Sequence, residues 1–271
     1  MGAITPLGNQ DPVNFVSRTR NFLERVNWLS PIASGPWSAL VFWLSASRDP
    51  SHVARGTYLG TPVSFRGIDA MAIKEVLVDR EYAFAVDRIA HLASPTVLDV
   101  GAHIGLFALA VLKAIPSARA QSVEADPETY RVLLSNIADA RSQGSEWKAV
   151  HAAAWSTDCD AVRFFSVGPS MSHRVSSKGN TIVEGISLKS LLDGFVGGSG
   201  IVDLLKVDIE GSEEAFLCAE PSLLKRARNL VVELHPNFCD TSHVEKVLRD
   251  SYQIVKEVHG RSSSKPLLLC Y

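Results

Sequence analysis

The sequence has few cysteines. Cys159, Cys218, Cys239 and Cys270 lie far apart and form no CxxC pair. That spacing argues against a zinc site or a disulfide framework and favours reduced thiols. Basic charge is not in excess either. The formal net charge is -2, so no nucleic-acid partner is expected. Long apolar runs are missing: the most apolar early segment, Ala39 to Ala46, is far shorter than the roughly 20 residues that span a bilayer. The N-terminus has neither the basic head nor the apolar core of a signal peptide, which predicts a cytoplasmic protein. No internal repeat or long low-complexity tract is present, and nothing opposes a homo-oligomer.

What is present is a chain that is 46% hydrophobic, enough for a sizeable core. Its character changes near Pro95. Before it, helical patterns dominate. "DPVNFVSRTRNFLERVNWL" places Phe15, Phe22, Val26 and Leu29 at helical spacing. "SPIASGPWSALVFWLSAS" follows, with a start signal at Ser30-Pro31, and "REYAFAVDRIAHLA" predicts a helix into the first core strand. "GTYLGTPVSFRG" predicts a hairpin turning at Gly60-Thr61-Pro62. Residues 1–95 are therefore expected to form an N-terminal helical cap on the substrate side. Its tryptophans, Trp28, Trp37 and Trp43, are either core or pocket lining.

After Pro95, strand-like runs fall at Thr96–Val100, Ala118–Glu124, Lys148–Ala154, Val202–Asp208, Asn229–Leu234, Ile254–Val258 and Leu267–Cys270. Helical patterns at Leu106–Ile115, Pro127–Ala140, Ser187–Phe195, Ser212–Arg226 and Ser242–Ser251 separate the first six. This alternation predicts an α/β core over residues 96–271: a seven-stranded sheet, mostly parallel, with helices on both faces. The last two strands have no helix between them and should form an antiparallel hairpin. Between Ser156 and Glu184, "AVRFFSV" and the polar loop Gly168–Asn180 replace the helix a plain alternation would have.

The turn "VLDVGAHIGLFALA" sits where open α/β sheets bind ligands, at the carboxyl end of the first strand. A helix N-terminus there suits an anionic group. A dinucleotide fingerprint would put glycine at 101, 103 and 106, but the residues are Gly101, His103 and Leu106. No Gly-Lys-Ser/Thr follows, so a P-loop is excluded. Asp99 lies in the turn region, and Glu124 ends the second strand, placed to accept hydrogen bonds from both ribose hydroxyls. A nucleoside with a short zwitterionic tail fits, and S-adenosyl-L-methionine has that shape. Its carboxylate would meet the helix start near Gly105, and its ammonium the turn carbonyls and Asp99. Cofactor contacts are thus expected from Asp99, Gly101, His103, Gly105, Glu124, Ala125, Ala154 and Asp208.

These stretches, with "VEADPETYRVLLSNI", "ISLKSLLD", "VDLLKVDIEGSEEAFL" and "LVVELHP", resemble the FkbM-type methyltransferases, a branch of the class I S-adenosylmethionine-dependent enzymes. The resemblance covers about Thr96 to Pro236. It implies a Rossmann-like class I methyltransferase fold and methyl transfer to a hydroxyl of a secondary metabolite, sugar or glycoside. Two positions depart from the family: Ala125, where proline is usual, and His103, where asparagine is most frequent. The segment before about residue 55 lies outside it.

Strand four ends in "KVDIEGSEE" and strand five in "VVELHP". In a sheet ordered 3-2-1-4-5 these ends border one crevice. Alternation places Lys206, Asp208 and Glu210 on one side and aligns Glu233 with His235. Asp208, Glu210, Glu233 and His235 are the catalytic candidates. His235 is the expected general base, with Asp208 and Glu233 orienting it or balancing the sulfonium. A divalent cation such as Mg²⁺ on these carboxylates is the less favoured alternative. Lys206 reads as the partner of a buried carboxylate, Glu213 and Glu214 open the following helix, Glu214 as favourable charge at its N-terminus, and His173 is a rival base. The reading is an S-adenosylmethionine-dependent O-methyltransferase acting on a small hydroxylated acceptor. N-methylation, or a cofactor-binding module without catalysis, are the alternatives.

Overall fold

The computed structural model describes residues 28–166, 173–258 and 264–271. The helical pattern from Asp11 lies almost wholly outside these residues, as do residues 168–172 of the polar loop and 259–263 of the last connection.

The extension before Pro95 is only partly helical. Helix α1 runs Pro36–Arg48. It starts at Pro36, not at Ser30-Pro31, because Gly35 takes a positive φ of 134° and Pro36 occupies the first turn. Strands β1 (Ala54–Tyr58) and β2 (Thr61–Phe65) form the hairpin. Its turn is Leu59-Gly60, both at positive φ, while Thr61 and Pro62 already belong to β2. Helix α2 (Ala70–Ile73) runs into a wide turn, Lys74–Val78, and α3 spans Ala83–Ile89.

The main sheet is built from β3 (Thr96–Val100), β4 (Arg119–Glu124), β5 (Glu146–His151), β10 (Leu204–Val207), β11 (Leu230–Glu233), β12 (Val255–Glu257) and β13 (Leu267–Cys270). Its order is β12-β13-β11-β10-β3-β4-β5, so the first five core strands stand in the expected 3-2-1-4-5 order. Those five are parallel, and β13 is antiparallel to both β11 and β12. Helices α4 (Leu106–Ala114), α5 (Pro127–Ser142), α6 (Leu188–Val196), α7 (Glu213–Leu217) and α8 (Thr241–Ser251) cover it. Side-chain caps fix three starts: Asp126 for α5, Ser187 for α6 and Asp240 for α8.

Two expected elements are broken. The run to Ala154 is interrupted at Ala152, and β6 (Ala153–Ala154) leaves the main sheet. It joins β7 (Cys159–Phe165), β8 (Arg174–Val175) and β9 (Thr181–Ile186) in a second sheet ordered β6-β9-β7-β8. The expected helix Ser212–Arg226 ends at Leu217 and resumes as a 3₁₀ turn at Pro221, because proline cannot continue the hydrogen-bond ladder.

The buried strands alternate between two cores. Val97, Leu204 and Val231 face one core, which also holds Leu29, Val63, Phe65, Phe107 and Trp147. Leu98, Val100, Leu205, Val207, Leu230 and Val232 face the other. By that alternation Asp99, Lys206 and Glu233 share the first face, where charge replaces apolar side chains toward the carboxyl ends. Lys206 and Asp99 are direct partners in the parallel register.

Candidate active site

The first strand ends in a loop that only this sequence pattern permits. Gly101 has φ 76°, and a Cβ there would lie 1.7 Å from the carbonyl oxygen of Asp208. Gly105, at φ 86°, faces inward: its Cβ would strike Trp147 and Leu133. Gly105 therefore seats the loop on α5 and β5 and stands behind the cleft wall. Between them His103 takes φ 54°, a left-handed conformation unusual for a residue with a side chain. The N-cap of α4 is Gly105, which offers no capping side chain.

The cleft opens at the carboxyl ends of β3, β4 and β10. Gly101, His103, Glu124, Ala125, Ala154, Asp208 and Glu210 line it, as does Lys206. Asp99, Gly105, Glu233 and His235 are not among its lining residues and stand behind them. Residues without a sequence signal complete the wall: Ala72, Glu75, Val76 and Tyr82 from the extension, and Phe164 and Val175 from the second sheet. Trp37 is 78% exposed, and neither it nor Trp43 lines the cleft.

At one end stands Glu124. Its Oε2 accepts the His103 N–H at 2.8 Å, and its Oε1 accepts the Asp126 N–H at 2.8 Å. Each carboxylate oxygen has further acceptor capacity for a ribose hydroxyl. Burial raises the Glu124 carboxyl above its usual pKa, against the pull of His103 and the Asp126 N–H. Ala125, Ala153, Ala154, Phe164 and Val175 give this end an apolar wall suited to a nucleobase. His173 Nδ1 lies 3.2 Å from Asp126 Oδ2, which places this histidine at the Glu124 end of the cleft.

At the other end the charged groups converge. Lys206 Nζ donates to the Gly101 carbonyl at 2.8 Å and lies 3.3 Å from Asp99 and 3.9 Å from Asp208. Burial alone would lower its pKa, but Asp99 and Asp208 outweigh that and raise it. The Tyr82 hydroxyl donates to Asp208 Oδ2 at 3.3 Å. His235 is buried with Nδ1 2.7 Å from Glu213 Oε1, and Nε2 faces Glu210 at 3.2 Å, Glu233 at 3.7 Å and Asp208 at 3.9 Å. Burial works against its charge, but hydrogen bonds to Glu210 and Glu213 push its pKa up to about 10. In these surroundings the imidazole is a cation at neutral pH, the opposite of what a free base needs. Lys265 Nζ lies 3.1 Å from Glu210 and 3.8 Å from Glu233. Glu213 thus turns inward to His235, while Glu214 turns outward to His243 at 2.9 Å.

Among the described residues, Asp208, Glu233 and His235 place one ligand atom each within 4.8 Å of one another, a spacing a metal ion would accept. Lys265 and Lys206 already bring positive charge to Glu233 and Asp208. The four cysteines are free thiols. No helix among the described residues is long and apolar enough to cross a membrane.

A mostly parallel sheet ordered 3-2-1-4-5, a buried carboxylate ending its second strand and a glycine turn into the first core helix are the architecture of a class I S-adenosylmethionine-dependent methyltransferase. The Methyltransferase FkbM domain matches residues 99–253, more than half of the chain, and the protein belongs to that family. No curated protein gives a significant match. Among solved structures, the METTL16 methyltransferase domain is 15% identical with a TM-score of 0.48, covering 85% of this chain and 91% of that one. Precorrin-6y C5,15-methyltransferase from Geobacter metallireducens is 13% identical with a TM-score of 0.43, covering 71% and 87%. Human methyltransferase-like protein 13, solved with S-adenosylhomocysteine, is 16% identical with a TM-score of 0.43, covering 71% and 80%.

Proposed function

We propose that the protein methylates a hydroxyl group of a small acceptor, a natural product, sugar or glycoside. S-adenosylmethionine supplies an electrophilic methyl group on a sulfonium. Glu124 accepts the ribose hydroxyls, the apolar wall at Ala125, Ala154 and Phe164 receives the adenine, and the start of α4 meets the carboxylate. Asp208 and Glu210, the two catalytic candidates that line the cleft, receive the acceptor. Asp208 takes the hydroxyl proton as the new oxygen–carbon bond forms, while Glu233 and His235 hold the cluster in place from behind.

The observation that carries this reading is the mixed charge around Asp208. Lys206 Nζ, Tyr82 OH and His235 Nε2 lie 3.9, 3.3 and 3.9 Å from its oxygens. With Lys265 beside Glu210, these donors hold the Asp208 carboxylate in place to receive the acceptor's proton as the oxygen–carbon bond forms. The test is turnover of methyl-labelled S-adenosylmethionine against a panel of paired alcohols and amines, with the product bond assigned by NMR. An O-methyl product supports the reading. An N-methyl product, or labelling confined to the amines, overturns it.

A further inference from the structure

A closed chain of contacts runs through Glu124, and two of its six residues, Arg66 and Asp69, come from the N-terminal extension. Arg66 grips Asp69 through three hydrogen bonds: N–H to Oδ2 at 2.8 Å, Nε to Oδ2 at 3.0 Å and Nη2 to Oδ1 at 2.8 Å. Asp69 Oδ1 lies 3.3 Å from His103 Nε2. The His103 N–H donates to Glu124 Oε2, and Glu124 Oε1 accepts the Asp126 N–H. Asp126 Oδ1 accepts the Thr129 N–H at 2.8 Å, and Thr129 Oγ1 accepts from Arg66 Nη2 at 3.0 Å, closing the circuit. Arg66, Asp69, Thr129 and Asp126 are all buried, and Asp69 is fully so.

We infer that Asp69, with Arg66 behind it, is a positioning residue for the cofactor, acting through His103 on the ribose-facing carboxylate of Glu124; this rests on the reading of Glu124 as the ribose anchor. The physical need is local. His103 sits at φ 54°, a conformation a histidine adopts only when its surroundings hold it there. Its backbone N–H must point at Glu124 while its ring lies along the cleft. The tether from Asp69 fixes the ring, and the ring fixes the backbone. One lone pair on each Glu124 oxygen is then committed to the protein, so the carboxylate meets both ribose hydroxyls already oriented, with less ordering to do on binding. The circuit also makes the extension part of the cofactor site as well as of the acceptor side.

The test is calorimetric titration of the full-length protein with S-adenosylhomocysteine and with 5′-methylthioadenosine, which keeps the ribose and lacks the amino-acid tail. Asp69→Asn and His103→Ala should each weaken both ligands by the same factor, roughly ten-fold for one disordered charge-assisted contact. His103→Ala leaves the Arg66–Asp69 pair intact, so it decides the matter where Asp69→Asn fails to fold. Combined with Glu124→Ala, either substitution should add no further loss, because all act at one point. Wild-type binding by His103→Ala, or losses that add to that of Glu124→Ala, overturns the inference while leaving the ribose reading standing. Wild-type binding by Glu124→Ala itself overturns both. A merely structural role would lower the melting temperature and leave the affinities of the folded protein unchanged.

Discussion

His235 Nδ1 and Glu213 Oε1 stand 2.7 Å apart, and neither side chain reaches solvent. The pair is the rear anchor of the acidic cluster. Glu213→Ala removes the Nδ1 partner and leaves a buried donor unsatisfied, although Glu210, Glu233 and Asp208 still face Nε2. Loss of a hydrogen bond to a charged group typically costs about 1.5–3 kcal/mol. Urea unfolding should show a loss of that order, and turnover should fall. Neither residue lines the cleft, so affinity for S-adenosylhomocysteine in the folded variant should change by less than about three-fold. Unchanged stability would contradict this account of the pair.

Lys206 and Asp99 pose a similar problem beside the cleft. They are direct neighbours across β10 and β3, with Asp99 fully buried. Burial raises the Asp99 carboxyl's pKa, and Lys206 opposes that rise. Lys206→Met should therefore destabilise the fold by roughly 3–5 kcal/mol, and Asp99→Asn in the same chain should restore part of the loss. Denaturant titration of the two singles and the double checks this. Losses that simply add would show that the pair does not interact.

A third expectation concerns acid. Burial would raise the Asp126 carboxyl, but hydrogen bonds from His173 and Thr129 outweigh it and hold the pKa down at about 2. A carboxyl depressed in the folded state binds its proton more readily when unfolded. Its stabilising contribution is complete above the ordinary carboxyl value near 4 and disappears as pH falls toward 2. Between pH 5 and pH 3 the wild type should lose more stability than Asp126→Asn, measured by urea midpoint. Equal losses in the two proteins would contradict it.

The inner strands were legible in the sequence because Thr96–Val100, Leu204–Val207, Leu230–Glu233 and Leu267–Cys270 are short, largely apolar runs buried on both faces. Thr96–Val100 is read from residue pattern alone, and Leu267–Cys270 is the whole of β13. Glu124, Gly101, Asp208 and Glu210 were legible because a position at the carboxyl end of a parallel strand already places a side chain at the ligand crevice. What escaped was long-range. Nothing near Asp69 announces that it will meet His103 thirty-four residues on, and Lys265 reaches Glu210 across 55. The break at Ala152 was hidden because Lys148–Ala154 has a uniform strand character, and only pairing with Gly185 and Ile186 draws Ala153 and Ala154 into another sheet. The inward turn of Glu213 was hidden as well. Gly211, at φ 112°, lies against Phe238 and redirects the chain, which a count of charges at a helix start does not reveal.

The carboxylates around His235 invite a metal ion, but Lys265 at 3.8 Å from Glu233 and Lys206 at 3.9 Å from Asp208 occupy that role electrostatically. Exhaustive chelation should leave turnover within about two-fold of the untreated enzyme, and added Mg²⁺ should not raise it, since no Lewis acid is called on to activate the hydroxyl. Activity abolished by chelation and restored by Mg²⁺ would assign Asp208, Glu233 and His235 to a cation instead.

The most direct test of the account is a single preparation of Asp208→Asn, measured twice. On the proposed function, Asp208 takes the acceptor's proton, while the nucleoside's contacts centre on Glu124; both line the cleft. Turnover of a hydroxylated acceptor should fall by roughly 10²–10⁴-fold, the usual contribution of a positioned proton acceptor. Titration with S-adenosylhomocysteine should give an affinity close to wild type. Full turnover by Asp208→Asn, with cofactor affinity intact, would contradict the assignment of the hydroxyl proton to this carboxylate.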